Sequence, residues 1–239
     1  MKSKTSSKNK ITFWVSLGIV IILIPATVAL SYAFGDRKLF IASLIIVVLA
    51  MVPFFVSFEG RKPDARYLAT LAVLIALIVI SRVAFIWLPS FKPMAGIIIL
   101  VAMTFGPQAG FMSGAISMII SNIIFSQGPW TAYQMFCYGM IGLIAGFLAK
   151  AKIFSQKHVI RTSIITFFLV FVMSTLILDT SSLFLMSSTY NLVGLITFYV
   201  AGMPMNIMNA IASAITVFIL SKPFFAIITR LKNKYGIEI

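Results

Sequence analysis

The chain has 239 residues, of which 61% are hydrophobic and 10% charged, and its formal net charge is +14. Its mean hydropathy is +1.08, whereas a soluble domain carries roughly a quarter charged residues, so a soluble fold is excluded. One cysteine, one histidine and five acids exclude a disulfide framework and any Cys-rich metal centre, and they leave little for acid/base catalysis.

Eight apolar runs follow one another in chain order: 13–34, 39–58, 67–88, 94–105, 109–125, 134–149, 162–178 and 191–220. A spanning helix needs roughly 20 apolar residues. The first run is long enough to remain as an anchor, with no small-residue cleavage site after it. The fourth run is short, and the last is long and carries Pro204, which predicts a kink or a broken helix there. With all eight runs spanning and the N-terminus inside, nearly all basic residues fall on the inner side. The inner clusters are Lys2, Lys4, Lys8 and Lys10; Arg61, Lys62 and Arg66; Lys150, Lys152, Lys157 and Arg161; and Lys222, Arg230, Lys232 and Lys234. Only Arg37, Lys38 and Lys92 fall outside, and Arg82 lies within a span. This is the positive-inside pattern. It places both termini in the cytoplasm and assigns the net charge to anionic membrane lipid rather than to nucleic acid.

The linker at 59–64 divides the chain. Two greasy helices with a basic tail (1–58) precede a six-helix core (59–222) whose spans carry Gly, Pro, Ser, Asn and Gln; a basic tail (223–239) follows. Polar groups in hydrocarbon are costly and mark sites or helix contacts, so the core is the working part. The expected fold is an all-α integral membrane protein.

Within the core, Ala65, Ala69, Ala72 and Ala76 share one helix face. Small residues at this spacing let another backbone approach closely, either within the chain or from a partner. Gly106, Gly110 and Gly114, with Gly142 and Gly146, read as tight packing between helices. Ser113, Ser117 and Ser121 read as hydroxyls bonded to their own helix. The turn around Gly128-Pro129 gathers Asn122, Gln127, Trp130, Tyr133 and Gln134, with Tyr138 a turn further on. Amides among aromatics suit a polar, flat-surfaced organic ligand, whereas Trp130 alone would suit an interface belt. Arg82 would snorkel outward, or face a cavity and meet an anionic ligand group or Asp179. The loop with Trp87 and Phe91, the Asp179 end of the seventh run, and the pair Tyr190 and Asn191 lie on the same outer side. His158 reads as a solvated residue in a basic loop. No Gly-x-x-x-x-Gly-Lys-Ser/Thr or His-Glu-x-x-His occurs, so the sequence shows neither a phosphate loop nor a zincin site, and no cofactor of its own is expected. Spans without acids argue against a proton-coupled carrier.

Residues of about 59–222 resemble the substrate-binding S components of energy-coupling factor (ECF) transporters, bacterial vitamin importers. The resemblance rests on the six-helix core, the alanine spacing and a run of motifs. That run comprises Lys92-Pro93, Phe105-Gly106-Pro107-Gln108-Ala109-Gly110, Ser121-Asn122 and the stretch Gln127-Gly128-Pro129-Trp130-Thr131-Ala132-Tyr133-Gln134-Met135. This last run is similar to a subgroup associated with cobalamin uptake. The resemblance implies a protein of the bacterial cytoplasmic membrane that captures a vitamin outside. It then docks on a coupling subunit driven by two ATPases and topples to release the vitamin inside. It places the coupling face on Ala65, Ala69, Ala72 and Ala76. The pocket falls on the 87–92 loop and around 127–138, 179–191 and Tyr199. Cobalamin or a related corrinoid is the first expectation for the ligand. The alternatives are a smaller vitamin (pantothenate, a pyridoxine-like compound or riboflavin), or, in another class, an enzyme acting on lipid-linked substrates. The two extra N-terminal helices depart from the family pattern.

Overall fold

The computed structural model describes residues 45, 48–52, 55, 64–187 and 191–235. The first apolar run therefore lies outside the described residues, as does Tyr190. Among the described residues there is no strand, and five helices are long and apolar enough to cross a membrane.

Helix α1 spans Ala65–Ala84. It buries one edge, Leu71, Leu74, Ile75, Ile78, Val79 and Arg82, and leaves Ala65, Ala69, Ala72 and Ala76 on its exposed side with Val73 and Ile80. A loop leads to α2, Met94–Phe105. Ten of its twelve residues are buried, the pattern of a helix that is apolar all round and sits in a core. At 1.5 Å per residue it is about 18 Å long, short of the roughly 30 Å hydrocarbon thickness. Packing on every side, rather than length, keeps it in the bundle. Its Gly96 admits α7: a methyl there would lie 2.7 Å from the Ser213 carbonyl and from Thr216.

Gly106 alone separates α2 from α3, Pro107–Phe125. Its φ of 89° is a left-handed value that favours glycine, and Pro107 then opens the new helix, where its missing N–H costs nothing. The α3 helix packs along α4, Trp130–Lys150, through the glycines. A methyl on Gly142 would overlap the Gly110 carbonyl, one on Gly114 the Tyr138 carbonyl, and one on Gly146 the Pro107 backbone. The two backbones therefore touch, as the sequence spacing predicts. Ser113 and Ser117 donate to Gly110 and Gly114 carbonyls on their own helix (3.0 Å each).

After a single 3-10 turn, Gln156–His158, comes α5, Val159–Met173. It continues through a π-helical turn, Ser174–Asp179, into α6, Thr180–Met186. This corrects the expectation that Asp179 closes the seventh span: it lies inside a continuous helical segment, with α6 still to follow. The last helix, α7, is Leu192–Tyr235, 44 residues with Pro204 and Pro223 inside it. The helix is not broken at Pro204. It also runs on past residue 222, and Phe224, Phe225 and Ile228 are buried in the main core. Of the second apolar run, the described positions are helical. Met51 is buried in the same core, and the Phe55 ring meets Phe111 edge-on at 6.3 Å.

Candidate functional site

Arg82 is the only basic residue buried among those described, 7% exposed in the last turn of α1. A buried guanidinium requires partners, and α3 supplies them. Its Nη1 donates to Ser121 Oγ and to Asn122 Oδ1 (2.8 Å for the latter), and the cation lies 4.4 Å from the Phe125 ring centroid, a cation–π arrangement. Asn122 in turn donates through Nδ2 to Thr131 Oγ1 (3.0 Å) and Gln134 Oε1 (2.8 Å). Thr131 donates to Gln127 Oε1 (3.0 Å), and Gln127 Nε2 donates to the Ile119 carbonyl (2.9 Å). The amides of the 122–134 stretch thus form one relay that fixes Arg82 from behind. Arg82 does not pair with Asp179.

Asp179 anchors the opposite wall. The π-helical turn holds it, and Gly202 on α7 leaves the notch its carboxylate fills: a methyl on Gly202 would collide with that group. Asn206 Nδ2 donates to Asp179 Oδ2 (2.7 Å) and to Thr175 Oγ1 (3.1 Å). One turn further, Asn209 Nδ2 donates to the Tyr138 hydroxyl (3.3 Å).

Between these walls lies a cavity of about 200 Å³, lined by Arg82, Ser90, Lys92, Gln134, Tyr138, Asp179, Asn206 and Asn209, with Met118, Leu178, Gly202 and Met205 as its apolar surface. Two atoms of its lining residues, Arg82 Nε and Asn209 Oδ1, are fully buried without a hydrogen-bond partner; one is a donor and one an acceptor, and such orphaned groups are costly. Lys92 lies in the loop outside the helices. Burial, and then the adjacent Arg82 charge, hold its ammonium below the usual lysine range. Two cations therefore face a single carboxylate across the cavity.

Of the residues singled out from the sequence, Arg82, Gln134, Tyr138 and Asp179 line this cavity, and Asn122 and Gln127 stand behind it. The other described ones lie elsewhere. Trp87 is 72% exposed and donates to the Ala84 carbonyl (3.2 Å). Phe91 packs against Phe85 at 5.4 Å between ring centroids. Trp130 is 42% exposed and lies over Gly128, and Tyr133 is buried in the bundle. Tyr199 shares a hydrogen bond with Thr180 (2.9 Å). Asn191 Oδ1 accepts from Gly194 N (2.7 Å) at the start of α7, a capping role. Sequence reasoning missed Asn206 and Asn209. Their signal was present, two amides three residues apart in an apolar helix. The 127–129 turn instead faces a second, mainly apolar groove of about 710 Å³, closed by Val48, Met51, Val52 and Phe55. Among the described residues no cluster of His, Cys, Asp or Glu could hold a metal.

A family model described as ECF-type riboflavin transporter, S component, matches residues 64–225. Two curated relatives, both called UPF0397 protein and from Clostridium perfringens strains SM101 and ATCC 13124, are 41% identical over 51 residues. Those matches cover 21% of this chain and 27% of each relative, so the chain spans about a quarter of their length. No solved structure matches the chain significantly.

Proposed function

The chain belongs to the family of ECF-type riboflavin transporter S components, multi-pass membrane proteins of transport rather than enzymes, and on that premise we propose that it captures a small vitamin in the Arg82–Asp179 cavity. The observation that carries this reading is a polar cavity inside an apolar bundle, lined by Arg82, Lys92, Gln134, Asp179, Asn206 and Asn209. A ligand offering oxygen acceptors to Arg82 and Lys92, and a donor to Asn209 and Asp179, satisfies both walls at once.

Volume bears on which vitamin. Pockets for drug-sized ligands run to about 300–1,000 Å³, and this one holds about 200 Å³. A space below that range favours the smaller-vitamin alternative over a corrinoid, and riboflavin among those vitamins rests on the family's name rather than on volume. Trp130 and Phe91 do not line the cavity.

Capture is on the outer side and release is inward, with both termini in the cytoplasm. The energy comes from two ATPases acting through a membrane coupling subunit. Ala65, Ala69, Ala72 and Ala76 form the docking face. They are exposed and small, and they lie on the side of α1 that its own bundle leaves uncovered. The test is uptake of labelled riboflavin, pantothenate, pyridoxine and cobalamin by cells lacking their own importers, with the chain and an ECF module co-expressed. Entry of a small vitamin is expected; entry of cobalamin alone would refute the ligand assignment. Replacing Ala72 and Ala76 by Trp is expected to stop uptake while the purified chain still binds its vitamin. Undiminished uptake would refute the docking face.

A further inference from the structure

At the end of the bundle remote from this cavity, α5 and α7 leave a groove of about 910 Å³ between them. Its rim is Lys157, His158, Arg161 and Lys222; its walls are Ile160, Ile164, Phe218 and Ile219. No acidic residue lines it. The four wall residues are 67%, 54%, 55% and 61% exposed, so the chain's own packing does not cover them.

The order of these side chains along the helices is informative. Lys157 and His158 in the 3-10 turn precede α5, and Ile160 and Ile164 follow on it at one-turn spacing, with Arg161 beside Ile160. On α7, Phe218 and Ile219 precede Lys222 by about one turn. Each helix therefore presents positive charge at the end of the bundle and hydrocarbon one turn deeper, a depth of about 6 Å per four residues. Arg161 is already engaged, its NH2 donating to the Lys152 and Ile153 carbonyls (3.1 and 2.6 Å). The exposed Lys157 and Lys222 side chains carry no such bond to the fold.

We propose that this groove is a binding site for an acidic phospholipid, with the phosphate seated between Lys157 and Lys222 and the upper acyl chain laid over Ile160, Ile164, Phe218 and Ile219. A soluble anion would leave the apolar walls bare. A neutral lipid would leave the two lysines at the rim without a counter-charge. An acidic lipid matches both, and basic pockets between transmembrane helices hold such headgroups. The site does not depend on which vitamin the outer cavity takes, or on whether it takes one.

The experiment uses the full chain in nanodiscs containing equal phosphatidylglycerol and phosphatidylcholine, released into the gas phase for native mass spectrometry. The wild type is expected to retain phosphatidylglycerol in preference. The Lys157→Gln/Lys222→Gln variant is expected to lose that preference, by roughly fivefold per lysine and on the order of 25-fold for the pair. An Arg230→Gln/Lys232→Gln control removes the same charge from exposed residues outside the groove and is expected to keep it. Equal retention of the two lipids by the wild type would overturn the proposal. So would an unchanged preference in the lysine variant, or an equal loss in the control. Inorganic phosphate that displaces the bound lipid at low concentration, or a coupling subunit that protects Lys157 and Lys222 from chemical labelling while lipid does not, would assign the groove to another occupant and overturn it as well.

Discussion

Arg82→Met is the perturbation that most directly probes the outer cavity. Methionine keeps much of the apolar stem and removes the guanidinium. Two consequences separate. The first is for the fold: Ser121 Oγ and Asn122 Oδ1 lose their donor, and a buried acceptor left unsatisfied costs about 1–3 kcal/mol. Relief from burying a charge offsets part of this, and Asn122 keeps its bonds to Thr131 and Gln134. The net loss of stability should therefore stay near 1–2 kcal/mol. The second is for the ligand: a hydrogen bond to a charged group contributes about 1.5–3 kcal/mol, which is roughly 10- to 150-fold in affinity. The assay is retention of the co-purifying vitamin by the full chain in detergent, quantified by mass spectrometry, alongside thermal unfolding of the same samples. Affinity is expected to fall far more than stability. Arg82→Lys should recover only part of the affinity, because an ammonium cannot reproduce the guanidinium fork. Unchanged retention in Arg82→Met, with stability lowered, would refute the reasoning: Arg82 would then serve the α1–α3 contact alone.

Lys92 gives a pH signature. Its ammonium is held below the ordinary lysine range by burial and by Arg82. The cavity's second positive charge is therefore lost as pH rises through that lowered value, earlier than a solvated lysine would lose it. Vitamin retention should decline on the alkaline side, and Lys92→Arg should abolish that decline; an identical alkaline profile in the variant would exclude Lys92 as the cause. At the glycine seam, Gly142→Ala places a methyl against the Gly110 carbonyl, where only backbone could yield. A loss of about 1–3 kcal/mol is expected, measured by thermal unfolding, whereas Ala at Gly106 is opposed by its φ of 89° rather than by any neighbour.

Much of this molecule is written in patterns of one dimension. Composition and run length suffice for a helical membrane protein, because backbone groups in lipid must be satisfied within the helix. The glycine spacing announces the α3–α4 seam, since only missing side chains let two backbones touch. Arg82 stands out as a charge in hydrocarbon and Asp179 as a charge at the end of a span. What they do is decided in three dimensions. The sequence leaves open whether they pair with each other; the fold answers by giving Arg82 to Ser121 and Asn122 and Asp179 to Asn206, with the cavity between. The aromatics beside Gly128 look like a ligand platform because they are close along the chain. Helix rotation instead turns Trp130 outward and Tyr133 inward, and a shift of 100° per residue separates neighbours in sequence onto different faces. Asn206 and Asn209 reach the site from α7, more than twenty residues beyond Asp179, through a π-helical turn and a glycine notch that no local pattern predicts. Sequence by itself determined that this chain crosses a membrane and where its polar groups are concentrated, because hydrophobicity and charge act residue by residue. Only the tertiary structure decided which of those groups share a cavity, because that depends on how α1, α3, α4, α5 and α7 are rotated and pressed together.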